Sequence, residues 1–175
     1  KKGLTVVDMS TISATATRAM AKRLEPYGIE LVDAPVSGGT IGAINGTLTI
    51  MVGASQTTFD RVKPLLSHMG KSITRIGDTG AGQVAKSCNQ IVVTGTIMAV
   101  AEAFQFAKAA GVDPTPIREA LLGGFAGSRI LEVHGNRMIT GDYAPGFKTV
   151  LHKKDMGIVH DIAQADYYVT NLREY

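Results

Sequence analysis

The stretch GDTGAGQVAKSCNQ, residues 77–90, sets one lysine just behind a glycine-rich turn and just ahead of an apolar run. Gly77, Gly80 and Gly82 let the backbone turn sharply and approach a ligand closely, and Gln83, Val84 and Ala85 start a helix that carries Lys86 in its first turns. Asn89 and Gln90 lie three and four residues beyond Lys86, so the three side chains share one helix face. The amino end of a helix carries partial positive charge, which disfavours a further cation and is expected to draw the lysine pKa toward the range of a working proton donor. Such a lysine suits acid and base catalysis. Alone, Lys86 would read as an ordinary solvated lysine; the turn before it, the amides after it and the apolar run that follows aim this helix end at a pocket.

A second segment, DAPVSGGTIGAINGTL at residues 33–48, follows a strand pattern and gathers Ser37, Gly38, Gly39, Gly42 and Gly46. Successive glycine amides can converge on an anion, and the Ser37 hydroxyl adds a donor, so this loop could hold a carboxylate while excluding bulky side chains. Read by itself it is equally well a connection with no ligand. Lys153, Lys154 and Asp155 in VLHKKDMGIVHDI form a further polar cluster that interrupts an apolar helical stripe, and an exposed charged face explains it nearly as well. His68, His134, His152 and His160 are scattered, and the last two stand eight residues apart with no carboxylate in the spacing of a zinc-binding helix, so no metal is expected. Ser37 has no partner histidine in a hydrolase-like motif. Gly77, Gly80 and Gly82 follow a strand and open a helix, but their spacing and the lack of an acidic residue about twenty positions on do not make a dinucleotide fingerprint.

The elements that must position these groups change in type along the chain. Residues 4–8, 29–33, 47–53 and 72–76 read as strands, with helices at about 14–27 and 56–69 between them, and the opening strand, helix, strand implies a parallel crossover. From Gly82 onward only helices are expected: a long one to about Ala110, then 114–122, about 128–139, and one from near Val150. The best domain boundary is therefore near Gly82, dividing residues 1–81 from 82–175 in an α/β then all-α chain. The abrupt opening on a strand makes the chain look like the later part of something larger.

A hydrophobic content of 45% against 19% charged residues excludes disorder, and scattered basic residues with a net charge of +3 fit a small anionic ligand better than a nucleic acid. Cys88 is the sole cysteine, which points to a reducing compartment, the cytoplasm by default. The apolar stretch at residues 90–101 falls short of the roughly 20 residues a membrane span needs and is expected to be buried between protein surfaces. No membrane association is expected, and that apolar helix predicts a homodimer or higher homo-oligomer.

Three motifs in order, DAPVSGG at 33–39, GDTGAGQVAKSCNQ at 77–90 and KKDMGI at 153–158, resemble the β-hydroxyacid dehydrogenase family, which includes 3-hydroxyisobutyrate dehydrogenase and tartronate semialdehyde reductase. Within it, GGFAGSRILEVHG, APGFKTVLHKKD and the Asn89–Gln90 pair are most similar to the tartronate semialdehyde reductase branch. The resemblance implies the C-terminal part of a Rossmann-type dinucleotide-binding domain followed by a 6-phosphogluconate-dehydrogenase-like helical domain for substrate binding and dimerisation, with the lysine on the helix that joins them. It implies Lys86 as catalytic residue, Ser37, Gly38, Gly39, Asn89 and Gln90 as substrate-binding residues, and Ser10, Thr11 and Lys154 as cofactor-binding residues for NAD or NADP. The family's N-terminal GxGxxG half has no counterpart here, and the end, ADYYVTNLREY, departs from the pattern before the expected final helices.

The expected activity is hydride transfer from a nicotinamide cofactor to a short 3-oxo acid, tartronate semialdehyde giving D-glycerate, with a lysine acid/base. The nearest rival is the same chemistry on 3-hydroxyisobutyrate or another β-hydroxyacid. A rival of another class is a truncated, non-catalytic dimerisation or ligand-binding module; the joint presence of Lys86, the serine-glycine loop and Lys154 weighs against it, since a scaffold has no physical need of that polar set.

Overall fold

The computed structural model describes residues 3–144, 146 and 148–166, so the divergent end lies almost wholly outside the described residues. Two compact units form: the described residues up to Asn89 together with those from Gly146 onward, and the segment Gln90–Pro145.

The first unit is built on a five-stranded mixed sheet. Strand β1 (Thr5–Asp8) leads through helix α1 (Ala14–Leu24) and a 3-10 turn to β2 (Glu30–Asp33), which pairs with β1 in parallel as the crossover pattern requires. Ser13 caps α1 by accepting the Ala16 amide at 3.0 Å, and Gly28, at φ 63°, ends the 3-10 turn in the left-handed region. The chain then bends at Ala34 and Pro35 and continues as the two-residue β3 (Val36–Ser37). Strand β4 (Leu48–Gly53) runs antiparallel to both, with Asp33 opposite Gly53 and Val36 opposite Ile50, and parallel to β5 (Gly70–Gly77) on its other side.

Two expectations are corrected here. The sheet is mixed rather than parallel, and the glycine-rich loop contains β3 and the short helix α2 (Gly39–Ile44). The connection from β3 to β4 is shorter than the dozen or more residues a parallel crossover requires, so β4 must return antiparallel. Val32, Ile50 and Val52 are fully buried and pack with Phe59, Val62 and Leu66 of α3 (Gln56–Leu66), whose apolar positions recur at helical spacing.

Helix α4 (Ala81–Ala109) is a single 29-residue helix whose opening belongs to the first unit and whose remainder belongs to the second. It is long and apolar enough to cross a membrane by length and composition, more than the shorter apolar run led one to expect. In the single chain that apolar stretch is not covered throughout: Val92 is 66% exposed and Met98 59%. Gln83 and Lys86, by contrast, are buried in the first unit.

In the second unit, Val100 and Phe104 of α4 pack with Leu131. Helix α5 (Pro114–Leu122) starts from an Asp113 cap that accepts the Thr115 amide at 2.9 Å. The helix expected at 128–139 is interrupted by a π-helical turn, Leu131–Gly135, before α6 (Asn136–Thr140). Carbonyls in that turn are met from outside it, since the Arg118 guanidinium donates to Leu131 O at 3.2 Å and Glu132 O at 2.7 Å. Helix α7 (Thr149–Asp166) returns the chain to the first unit.

Gly82 fixes how closely α4 starts against the sheet. A Cβ there would lie 2.5 Å from Met51 O, 2.8 Å from Asp33 Oδ2 and 2.9 Å from Asp33 O, two of them backbone atoms that cannot swing aside. Helix propensity favours Ala over Gly by about 1 kcal/mol, but overpacking against rigid backbone costs about 1–3 kcal/mol or more and outweighs it. Gly82→Ala is expected to shift the urea midpoint downward despite the better helix former; an unchanged or raised midpoint would contradict this packing.

Candidate active site

The site gathers beyond the carboxyl ends of β1 and β2, the edge of an open α/β sheet at which ligands bind. Its foundation is Asp33, the last residue of β2 and fully buried. The carboxylate accepts the Gly80 amide at 2.6 Å and the Gln83 amide at 2.9 Å, so a side chain from the sheet caps the start of α4. Burial pushes the Asp33 carboxyl above its ordinary range, against the opposing pull of these amide donors. Gly53 and Gly82 leave the space it fills, a Cβ at Gly53 coming within 2.3 Å of Asp33 Oδ1.

With the helix start fixed in this way, Lys86 is carried inward. It is only 8% exposed, and Nζ donates to Val36 O at 2.8 Å, which places the ammonium beside the segment that continues into Ser37, Gly38 and Gly39. Its pKa lies below the ordinary lysine value, as expected, but the cause differs from the expectation: burial dominates, the Asp155 carboxylate opposes it, and the Lys154 ammonium adds to it. Lys86 is the sixth residue of α4, past the first turn where the helix dipole acts.

Gly38 and Gly39 have φ of 132° and 61°, backbone conformations that side-chain-bearing residues rarely adopt. Asn89 is half-buried on α4, and Gln90 is buried at the position where the second unit begins. Ser10 is exposed just after β1, its amide donating to Asp8 Oδ1 at 2.9 Å. The ammonium of Lys154, on α7, donates to Thr11 O and pairs with Asp155 Oδ1 at 3.0 Å. The structure thus brings Lys86, the Val36–Ser37 strand, Thr11 and the Lys154–Asp155 pair into one unit. Among the described residues no three His, Cys, Asp or Glu side chains cluster as metal ligands would.

Besides Thr17 and Thr58, three buried polar residues were not singled out as site residues from sequence: Asp33, Gln83 and Asp155. For Asp33 the signal was available, since a carboxylate ending the apolar strand ELVD needs donors, and a glycine-rich helix start supplies them. Asp155 falls on the α7 stripe of His152, Met156 and Val159, all at least half-buried, but sequence alone did not separate that stripe from an exposed charged face.

A desolvated lysine near a buried carboxylate, at the carboxyl end of parallel strands and followed by a helical segment, is an arrangement suited to proton transfer in an α/β oxidoreductase. The family model described as NAD-binding of NADP-dependent 3-hydroxyisobutyrate dehydrogenase matches residues 80–172, and that described as NAD binding domain of 6-phosphogluconate dehydrogenase matches residues 1–77. The chain belongs to the NAD-binding 3-hydroxyisobutyrate dehydrogenase-like family, a Rossmann-like domain followed by a helical one.

It is 53% identical over 164 residues to 2-hydroxy-3-oxopropionate reductase of Escherichia coli, a match covering 94% of this chain and 56% of that protein. It is 42% identical to 2-(hydroxymethyl)glutarate dehydrogenase of Eubacterium barkeri, over 90% of this chain and 53% of that one. The solved structure of Mycobacterium tuberculosis 3-hydroxyisobutyrate dehydrogenase with L-serine superposes with a TM-score of 0.87 at 35% identity, over 98% of this chain and 62% of that one. The chain spans just over half the length of these curated relatives. The two family matches meet between residues 77 and 80, at the change of structural type, whereas compactness divides α4 itself between Asn89 and Gln90.

Asp33→Ala would orphan the Gly80 and Gln83 amides in a buried position, at about 1–3 kcal/mol for each unsatisfied group. The variant is expected to lose roughly 2–6 kcal/mol of unfolding free energy in urea, and a loss below about 1 kcal/mol would mean that water or another acceptor caps α4 instead.

Proposed function

We propose that the protein carrying this chain is an NAD(P)-dependent β-hydroxyacid dehydrogenase or reductase that interconverts tartronate semialdehyde and D-glycerate, with Lys86 as proton donor and acceptor. The observation that carries the reading is the buried Lys86 ammonium, held on a main-chain carbonyl beside the Ser37–Gly39 segment and next to Asp155. The identity of 53% to a 2-hydroxy-3-oxopropionate reductase supports this substrate over other short β-hydroxyacids. The cytoplasm is the proposed location.

The half-exposed Lys154 ammonium and the exposed Ser10 hydroxyl, at the carboxyl end of β1, are a donor set suited to an anionic dinucleotide. Ser10, Thr11 and Lys154 would hold the nicotinamide side of NAD or NADP. When bound, that cofactor supplies the hydride to the carbonyl carbon. In this reading Ser37 and the Gly38 and Gly39 amides bind the substrate carboxylate, and Asn89 and Gln90 orient the carbonyl. The Lys86 ammonium gives its proton to the carbonyl oxygen as the alcohol forms, and in the oxidative direction the neutral amine takes the hydroxyl proton. Asp155 favours the proton-donating form in a site whose burial disfavours it. Self-association through the exposed apolar face of α4, at Val92, Met98 and Phe106, is part of the same proposal.

Loss of Lys86 should remove about 10²–10⁴ of the turnover. In the complete protein, Lys86→Ala is expected to cut kcat for tartronate semialdehyde by that amount with cofactor affinity nearly intact, and equal turnover would overturn the reading. The pH dependence follows from the lowered Lys86 pKa: the ammonium is present below it and lost above it, so reduction falls as pH rises through a value below the ordinary lysine range. Oxidation rises across the same interval. Initial rates in both directions check this, and coincident slopes of the same sign would exclude Lys86 as the shared proton carrier.

A further inference from the structure

Gln83 is 1% exposed and stands three residues before Lys86 on α4, yet no part of the mechanism above uses it. Both ends of its side-chain amide are engaged with one short segment of main chain. Nε2 donates to Ser10 O at 2.8 Å, and Oε1 accepts the Ile12 amide at 3.3 Å. Its own backbone amide is one of the two donors to Asp33.

Residues 10–12 form no regular structure and so have no ladder or helix to satisfy their polar groups. They are held instead by four contacts from three directions. Asp8 Oδ1 accepts the Ser10 amide from the end of β1, Gln83 takes Ser10 O and the Ile12 amide from α4, and the Lys154 ammonium reaches Thr11 O from α7. Only an amide of this length offers a donor and an acceptor together; a carboxylate accepts alone and an apolar side chain does neither.

We infer that Gln83 is a positioning residue that clamps the Ser10–Ile12 segment onto the start of the helix carrying Lys86, so that the groups facing the nicotinamide and the group that moves the proton are fixed to one rigid element. The inference rests on the proposed reading of Ser10 and Thr11 as cofactor contacts, but the clamp itself is a property of this chain. Its benefit is geometric, because a hydride donor and a proton donor must be held together within a fraction of an ångström for the reaction to be fast.

The test uses the complete protein with Gln83→Met, which keeps length and volume and loses both hydrogen bonds, and with Gln83→Glu, which keeps an acceptor for Ile12 but offers Ser10 O a donor only when protonated. Amide exchange reads the clamp without reference to activity. The Ile12 amide is expected to exchange at least about tenfold faster in Gln83→Met while the β1–β2 and β4–β5 ladder amides keep their wild-type rates, and Gln83→Glu is expected to fall between.

Titration with NADH and NADPH is expected to give a cofactor Kd raised about tenfold in Gln83→Met, with the KM for the oxo acid and the pH at which Lys86 discharges unchanged. A role confined to stability would lower Tm and leave the affinity of the folded fraction intact. Unchanged Ile12 exchange overturns the inference, as does faster exchange with an unaltered cofactor Kd. A wild-type protein that binds neither cofactor would remove the proposed function instead, and Ile12 exchange would still decide the clamp. Should Gln83→Met fail to fold, Gln83→Glu is held to the same two readouts.

Discussion

The hydrogen bonds from the Gly80 and Gln83 amides to the Asp33 carboxylate are the constraint on which the rest of the site depends. A helix start buried against a sheet leaves amide donors that no water can reach, and a carboxylate pushed out of water needs donors; each need answers the other. The solution demands space, which Gly53 and Gly82 provide by having no Cβ. Once α4 is registered on β2 in this way, its sixth residue is carried to the Val36 carbonyl and its third to the Ser10–Ile12 segment, without any contact between those two targets being required.

The electrostatics of Lys86 show why direction alone is a weak test of a physical argument. The helix dipole and burial both predict a lowered pKa, and the pKa is lowered. The dipole fades within the first turn, however, while loss of hydration acts wherever the side chain is enclosed. With burial as the main cause, the protonation state of Lys86 responds to whatever fills or drains the space around it, and the carboxylate of Asp155 sets a limit to how far the ammonium is discharged.

Much of the fold was legible because it follows from local pattern. Apolar β-branched runs gave β1, β2, β4 and β5 within a residue or two, and the Pro114–Leu122 helix came out to the residue. The direction of β4 and the existence of β3 and α2 were not legible, since Gly38, Gly39, Gly42 and Gly46 signal a turn whatever lies between them, and a two-residue strand has no periodicity. In the π-helical turn at Leu131–Gly135, Arg118 meets carbonyls thirteen and fourteen residues further along the chain, a pairing that apolar periodicity does not signal. Motif resemblance picked out Lys86, Ser37 and Lys154, polar groups of the kind that carry chemistry. It gave no role to Asp33, Gln83 and Asp155, although all three lie inside the same motifs, because their burial and their partners appear only in the folded chain.

Many of the contacts that fix this site end on main-chain atoms: Val36 O for Lys86, Thr11 O for Lys154, and Ser10 O and the Ile12 amide for Gln83. A carbonyl survives any substitution at its own residue, and an amide any but proline. The side chains at 12 and 36 can therefore change without unfastening the groups they adjoin, so mutation can sample new pocket shapes while Lys86 and Gln83 stay in register. Relatives in this family bear the names of enzymes for quite different acids, from 2-hydroxy-3-oxopropionate to 2-(hydroxymethyl)glutarate. A site anchored to backbone is a scaffold on which such divergence is cheap.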